Sequence, residues 1–261
     1  MKPIALITGG SKGIGLELAK QFAKAHYDLI LVARNSNELA AAVDDLKPFG
    51  VEVDTFAADV STLDFCSRLA QQFTDKLPRI EVLVNNAGTG RIGMLHTLSQ
   101  TELEQILALN VVALTRLTQF FLQQFLVAKR GKILNVASTA AFTPGPYYST
   151  YHASKAYVVS FSNALAQEYR EQGIIVSALC PGVVDTTFHQ TTGTDKTNIR
   201  SKFQNSMSAQ AVAEIGFAGL MQGKRVIVPG IMNKIQAFCM RRVLPDALLL
   251  RIVAFMEKPR A

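Results

Sequence analysis

Tyr151 and Lys155 stand four residues apart in Tyr151-His152-Ala153-Ser154-Lys155, and on a helix that spacing puts a phenol and an ammonium on one face. A phenol with its reference pKa near ~10 is too weak an acid for proton exchange at neutral pH. Roughly 3 units, or about 4 kcal/mol, must come from its surroundings. A neighbouring ammonium favours the phenolate and supplies part of this. Tyr151 then protonates a nascent alkoxide in one direction and removes an alcohol proton in the other. Ser138, at the end of an aliphatic run, is placed to hydrogen-bond the reacting oxygen. Asn110, a poor helix former inside a helical stretch, is placed to hold a water behind Lys155 as a proton relay.

A partner for such chemistry is readable near the N-terminus. Thr8-Gly9-Gly10-Ser11-Lys12-Gly13-Ile14-Gly15 follows a short apolar strand and leads into a helix with Leu18 and Phe22 inward. Glycines at 9, 13 and 15 permit a tight turn, close approach of backbone to a pyrophosphate, and close helix–strand packing. The phosphate then sits on a helix N-terminus. Its position after the first strand distinguishes this loop from an ordinary tight turn. The second strand ends Val32-Ala33-Arg34, so Arg34 stands where an acid would accept bonds from a ribose 2′-hydroxyl. Arg34 favours a 2′-phosphate, and Lys12 adds a second positive charge. Either cation alone is commonplace on a surface, but two at the two expected places favour NADP(H). The positive ring of the oxidised nicotinamide then joins Lys155 in favouring the Tyr151 phenolate.

These groups need a scaffold, and the chain alternates short aliphatic runs with longer helical patterns, as a parallel sheet covered on both faces does. Strands are predicted at Ile4–Ile7, Leu29–Ala33, Val51–Ala57, Val82–Val84, Lys132–Ala137, Ile174–Leu179 and Val226–Val228. Right-handed crossovers make this a doubly wound α/β fold of the Rossmann kind, with ligands at the carboxyl ends of its strands. Ser61 to Asp64 and Ser99 to Glu102 match capping-box spacing, and Gly223 ends the helix that Ser208 begins. The helix from Thr101 to about Ala128 is apolar on nearly all sides, whereas sheet packing buries one face only. Its surplus suggests a subunit interface, shared with the helix carrying Tyr157, Phe161 and Leu165.

Bulk properties narrow the class. At 261 residues, 49% apolar and 18% charged, the chain suits one globular α/β domain, which we divide into a catalytic part at 1–230 and an apolar, basic extension at 231–261. The N-terminus runs apolar only from Ile4 to Ile7, too short for a signal-peptide core. Cys66, Cys180 and Cys239 form neither a CxxC pair nor a metal spacing, so they read as reduced thiols in a cytoplasmic protein. The formal charge of +7 is concentrated from Lys224 onward: Lys224, Arg225, Lys234, Arg241, Arg242, Arg251, Lys258 and Arg260 face only Asp246 and Glu257. That tail is aliphatic, without the aromatic and polar readers of a nucleic-acid face, which sets nucleic acid aside.

Together these pieces resemble the short-chain dehydrogenase/reductase family, up to about residue 230. The resemblance rests on Thr8–Gly15, Asp59-Val60, Asn85-Asn86-Ala87-Gly88, Asn110, Ser138, Tyr151/Lys155 and Pro181-Gly182 in order. It implies Asp59 and Val60 at the adenine, and Asn86, Ala87 and Gly88 supporting sheet and cofactor. It also implies Lys155 on the nicotinamide ribose, and Pro181, Gly182, Val184 and Thr186 around the carboxamide. It further implies a homodimer or homotetramer and no metal. The expected activity is reduction of an apolar ketone, 3-oxoacyl or steroid-like carbonyl with NADPH. The alternatives are an alcohol dehydrogenase running toward oxidation and a non-catalytic nucleotide sensor on the same fold.

Thr186 to Met207 is polar and without a clear helical period, so it reads as a mobile lid. Phe142, Tyr147, Tyr148 and Phe188 are expected to line the pocket. Residues 234–256 combine apolar and basic residues, with Pro245 opening the second of two short helices. Arg241, Arg242, Asp246 and Arg251 rule out an uninterrupted span of the ~20 apolar residues a bilayer requires. Two readings stand: a packed cover over the pocket or a subunit contact, which we place first, and a basic amphipathic surface on anionic lipid. His152 reads as a bland neighbour, Cys180 as a packed thiol, and His189 has no identifiable proton partner.

Overall fold

In the computed structural model, which describes residues 1–198, 206–235, 237 and 245–259, the aliphatic runs form seven strands. They are β1 (Ile4–Thr8), β2 (Asp28–Ala33), β3 (Val53–Ala57), β4 (Ile80–Asn85), β5 (Gly131–Val136), β6 (Ile174–Leu179) and β7 (Val226–Ile227). All pair in parallel, in the order β3-β2-β1-β4-β5-β6-β7. The chain winds outward from β1 through β2 and β3, then crosses back to β4 and winds the other way. Connections at the carboxyl ends of β1 and β4 therefore diverge, and a crevice opens between them.

Strand residues alternate between the two faces. Leu6, Ile30, Leu83 and Ile133 pack against Leu117, Phe121 and Phe125 of α5 (Leu114–Ala128), with α3 (Phe65–Gln72) and α6 (Ser149–Glu168) on the same side. Ala5, Ile7, Leu31, Val84 and Leu134 meet Leu18 and Phe22 of α1 (Gly13–Lys24), α2 (Ser36–Leu46), and Val212 and Leu220 of α8 (Ala209–Met221). Phe121 and Phe125 of α5 are fully buried, and each contributes roughly 1.5–3 kcal/mol. A buried polar chain ties the sheet to α6. Asn85 Nδ2 donates to Thr118 Oγ1 at 3.1 Å and Asn135 Oδ1 at 2.9 Å, and Asn135 Nδ2 donates to Ser162 Oγ at 2.9 Å.

Several local expectations are borne out and others are corrected. Ser99 and Glu102 form a reciprocal capping box on α4 (Gln100–Leu107), and Ser208 caps α8, which ends before Gly223 in the left-handed region at φ 68°. The Ser61 to Asp64 box does not form. Asp64 itself is the N-cap residue of α3 and makes no side-chain cap, and Ser61 is held instead by Asp59, whose Oδ1 accepts from its N–H and its hydroxyl. The long apolar helix is split: a π turn at Ala108–Ala113 separates α4 from α5, with Asn110 buried inside it. Such turns arise where one residue too many is accommodated in the helical ladder, and they often mark functional sites.

The segment read as a mobile lid without a clear helical period carries α7 (Phe188–Thr192), with Val184 bridged to Met207 and Thr197 to Pro259. Asn198 Nδ2 also donates to the Phe255 carbonyl at 2.8 Å. Residues 199–205 of that lid lie outside the described residues, as do Phe238, Cys239, Met240, Arg241, Arg242, Val243, Leu244 and Arg260 of the C-terminal extension. The described part of the extension comprises α9 (Ile231–Ile235) and α10 (Asp246–Glu257), the latter opened by Pro245 as expected.

Candidate active site

At the carboxyl end of β1 the glycine loop is locked to the end of β4. Asn86 Nδ2 donates to the carbonyls of Thr8 and Gly9, both at 3.0 Å, while Thr8 Oγ1 accepts from the N–H groups of Asn86 and Ala87. A Cβ on Gly15 would lie 2.1 Å from the Gly9 carbonyl oxygen, and one on Gly9 would lie 2.8 Å from Asn86 Nδ2, so neither position tolerates a side chain. Gly15 thus serves the packing of loop on helix and does not line the cavity. Helix α1 starts at Gly13, with Lys12 as N-cap residue and no side chain capping it. Its first N–H groups are therefore available to an anion. Loop and helix terminus fit the pyrophosphate of a dinucleotide.

The loop opens on a cavity of about 1630 Å³ that reaches from Gly9 to Glu257. Ser11, Lys12, Gly13, Ile14, Arg34, Asp59, Val60, Asn86, Ala87 and Gly88 line it, as do Ser138, Tyr151, Lys155, Pro181, Gly182, Val184 and Thr186. Residues scattered over most of the chain are thus gathered around one cavity. Tyr148 and Phe188 line the cavity too. Phe142 packs instead into a core cluster with Val158 and Cys180, and Tyr147 is absent from the lining.

Tyr151 and Lys155 lie one turn apart on α6, with Lys155 Nζ 5.7 Å from the centre of the Tyr151 ring. Lys155 donates to the Val136 carbonyl at the end of β5, at 2.9 Å. Two residues beyond that strand end, Ser138 caps a short 3-10 turn, its hydroxyl accepting from the Ala140 N–H at 3.1 Å. Burial pushes Tyr151 up to about 12, with the Ser138 hydroxyl pulling the other way, and pushes Lys155 down to about 8. In the protein alone burial is the largest influence on Tyr151, and the lowering expected from Lys155 together with the oxidised nicotinamide belongs to the cofactor-bound state. Desolvation penalises both charged forms, and the protein holds both groups toward neutrality. Asn110, buried in the π turn, does not line the cavity, and its amide is engaged within the protein. Its Nδ2 donates to the Thr89 carbonyl at 2.8 Å and Ser154 Oγ at 3.0 Å, and its Oδ1 accepts from the Thr89 N–H at 2.9 Å.

One participant was not singled out in the sequence. Glu38 accepts from both Ser11 and Lys12; its position on the first turn of α2, four residues after Arg34, was the available signal. Helix α10 turns Leu249, Ile252, Val253, Met256 and Glu257 toward the cavity. His152, read as bland, is buried against Glu257. His189 has partners in Thr194 Oγ1 and the Val184 carbonyl, both at 2.8 Å. Cys180 is fully buried, and burial raises its thiol to about 12, which fits a packed role.

Comparison with known proteins bears on this arrangement. The family model for short chain dehydrogenases matches residues 3–197. The chain is 32% identical over 181 residues to the 3-oxoacyl-(acyl-carrier-protein) reductase FabG of Chlamydia pneumoniae, across 69% of this chain and 73% of the relative. It is 35% identical over 189 residues to the putative ketoacyl reductase of the monensin polyketide synthase from Streptomyces virginiae, across 72% of each. A short-chain dehydrogenase from Sphingobium yanoikuyae, solved in complex with NADPH, is similar in structure with a TM-score of 0.80 at 28% identity, over 99% of this chain and 98% of that one.

Proposed function

The chain belongs to the short-chain dehydrogenase family, and from this we propose that it is an NADPH-dependent reductase of an apolar ketone, 3-oxoacyl or steroid-like carbonyl. The observation that carries the reading is Tyr151 and Lys155 buried one helical turn apart on the cavity wall, within reach of Ser138. NADPH supplies hydride to the carbonyl carbon. Ser138 donates to the carbonyl oxygen, and Tyr151 Oη gives it a proton as charge develops there. Reduction requires the protonated phenol, the form that burial of Tyr151 favours, and its acidity at proton transfer would be set with the nicotinamide in place. Oxidation requires the phenolate, which burial opposes. Lys155 and the glycine loop hold the ribose and the pyrophosphate, and Arg34, exposed at the cavity edge, holds the 2′-phosphate.

The apolar residues of α10 cover the substrate end of the cavity and exclude water there. Leu107, Val112, Leu126 and Tyr157 are exposed on α4, the π turn, α5 and α6. They support a second copy of the chain on that face. A lipid reading of the extension keeps one supporting observation: Leu248, Arg251 and Phe255 are exposed together on the outer side of α10.

The reading is tested by following NADPH oxidation by purified protein against ketones and 3-oxoacyl esters of graded size. Turnover of bulky apolar members is expected. Dinucleotide binding without turnover of any carbonyl would favour a nucleotide sensor instead.

A further inference from the structure

The carboxylate of Glu38 lies where the cations assigned to the 2′-phosphate converge. Its Oε1 accepts from Lys12 Nζ at 2.8 Å and its Oε2 from Ser11 Oγ at 3.1 Å. The Lys12 hydrogen bond, with help from the charge of Arg34, holds its carboxyl below the usual range. Local structure builds the arrangement. Asn35 caps α2 by accepting from the N–H groups of Asn37 and Glu38, at 2.9 and 3.2 Å, which fixes the first turn of the helix beside the glycine loop. Ser11 is buried, while Lys12 and Glu38 keep 55% and 37% of their side chains exposed, so this pair can part without disturbing the core. All four groups line the cavity. A carboxylate accepting from an ammonium and a hydroxyl, with a guanidinium near, makes the same demands on them as a phosphate monoester.

We propose that Glu38 is a built-in occupant of the 2′-phosphate subsite and a determinant of the choice between NADPH and NADH. Lys12 and Ser11 pass from its carboxylate to the 2′-phosphate when the phosphorylated dinucleotide binds. This rests on the dinucleotide reading above. The carboxylate opposes the phosphate twice, by engaging its donors and by like charge. An unphosphorylated ribose meets neither obstacle, and an acceptor such as Glu38 suits its 2′-hydroxyl.

Glu38→Gln keeps the shape and removes the charge. Titration calorimetry of the wild type, Glu38→Gln, Lys12→Met and the double variant with NADP⁺, NAD⁺ and 2′,5′-ADP reads the effect without turnover, and thermal melts confirm that each variant is folded. Glu38→Gln is expected to bind NADP⁺ and 2′,5′-ADP about three- to ten-fold more tightly, the scale of one partly screened charge contact. NAD⁺ should gain nothing. In the Lys12→Met background the gain should shrink, because only the Ser11 hydroxyl remains to be released. An unchanged affinity for NADP⁺, an equal gain for NAD⁺, or a full gain without Lys12 would each overturn the proposal while leaving the dinucleotide reading intact. A wild type that binds neither dinucleotide would remove that reading and this inference with it.

Discussion

His152 Nε2 lies 2.8 Å from Glu257 Oε1, 105 residues away along the chain, with both side chains 6% exposed. Nδ1 of the same ring faces the Thr143 carbonyl at 2.7 Å. A carbonyl only accepts, so Nδ1 carries the hydrogen and one further proton is shared with the carboxyl. The pair pins α10 to α6 one residue from Tyr151, whose ring stacks on Tyr148 at 4.3 Å.

Glu257→Ala should therefore destabilise the protein by on the order of 3 kcal/mol, since one half of a buried pair is left behind. Glu257→Gln, which keeps a hydrogen-bonding group, should cost less. Urea unfolding measures both, and an alanine variant as stable as the wild type would show that the contact does not hold the helix.

Tyr151→Phe removes the proposed proton donor and keeps the ring packed on Tyr148. Turnover should fall by ~10²–10⁴ with dinucleotide affinity nearly unchanged. Near-normal steady-state rates in this variant would dismiss Tyr151 as the acid.

Lys155 titrates at about 8 in the fold against an ordinary 10.5. Between those values the unfolded chain binds more protons than the folded one, so stability from this group rises with pH across the window and is lost as pH falls through 8. Tyr151, raised from 10 to about 12, acts oppositely and withdraws stability as pH climbs from 10 to 12. Lys155→Met should remove the first effect, and at pH 7 it removes a penalty of up to about 3 kcal/mol, less what is lost with the Val136 hydrogen bond. Denaturant titrations of both proteins from pH 7 to 10 check this. Parallel pH profiles would contradict it.

Arg34→Asp places a carboxylate at the cavity edge where the 2′-phosphate is assigned. It should reverse a preference for NADPH into one for NADH, seen in the ratio of kcat/KM values. A ratio untouched by the change would mean that Arg34 only faces solvent.

Vesicle cosedimentation separates the roles of the extension. We expect no binding of the full chain to anionic vesicles, and a truncation ending at Gly230 that aggregates or loses activity, because it removes the buried Leu249 and Val253 of α10. Salt-sensitive vesicle binding that vanishes on truncation would favour the lipid surface.

Local order along the chain determined a good deal by itself. The seven strands lie within two residues of their predicted limits, because most are short aliphatic runs whose neighbours bury both faces, the edge strand β3 with only Phe56 buried being the exception. The glycine loop and the Tyr151/Lys155 pair are equally local: a turn needing glycines and a helical spacing of four are written in consecutive residues. Tertiary structure decided what depends on who meets whom. Lys12 pairs with Glu38 and His152 with Glu257, and Asn110 is engaged by Thr89, because separate segments close on one another around the crevice. The acidity of Tyr151 followed the same rule. Spacing places a lysine one turn from the phenol, but only the fold buries both, and burial is the largest influence on each in the protein alone.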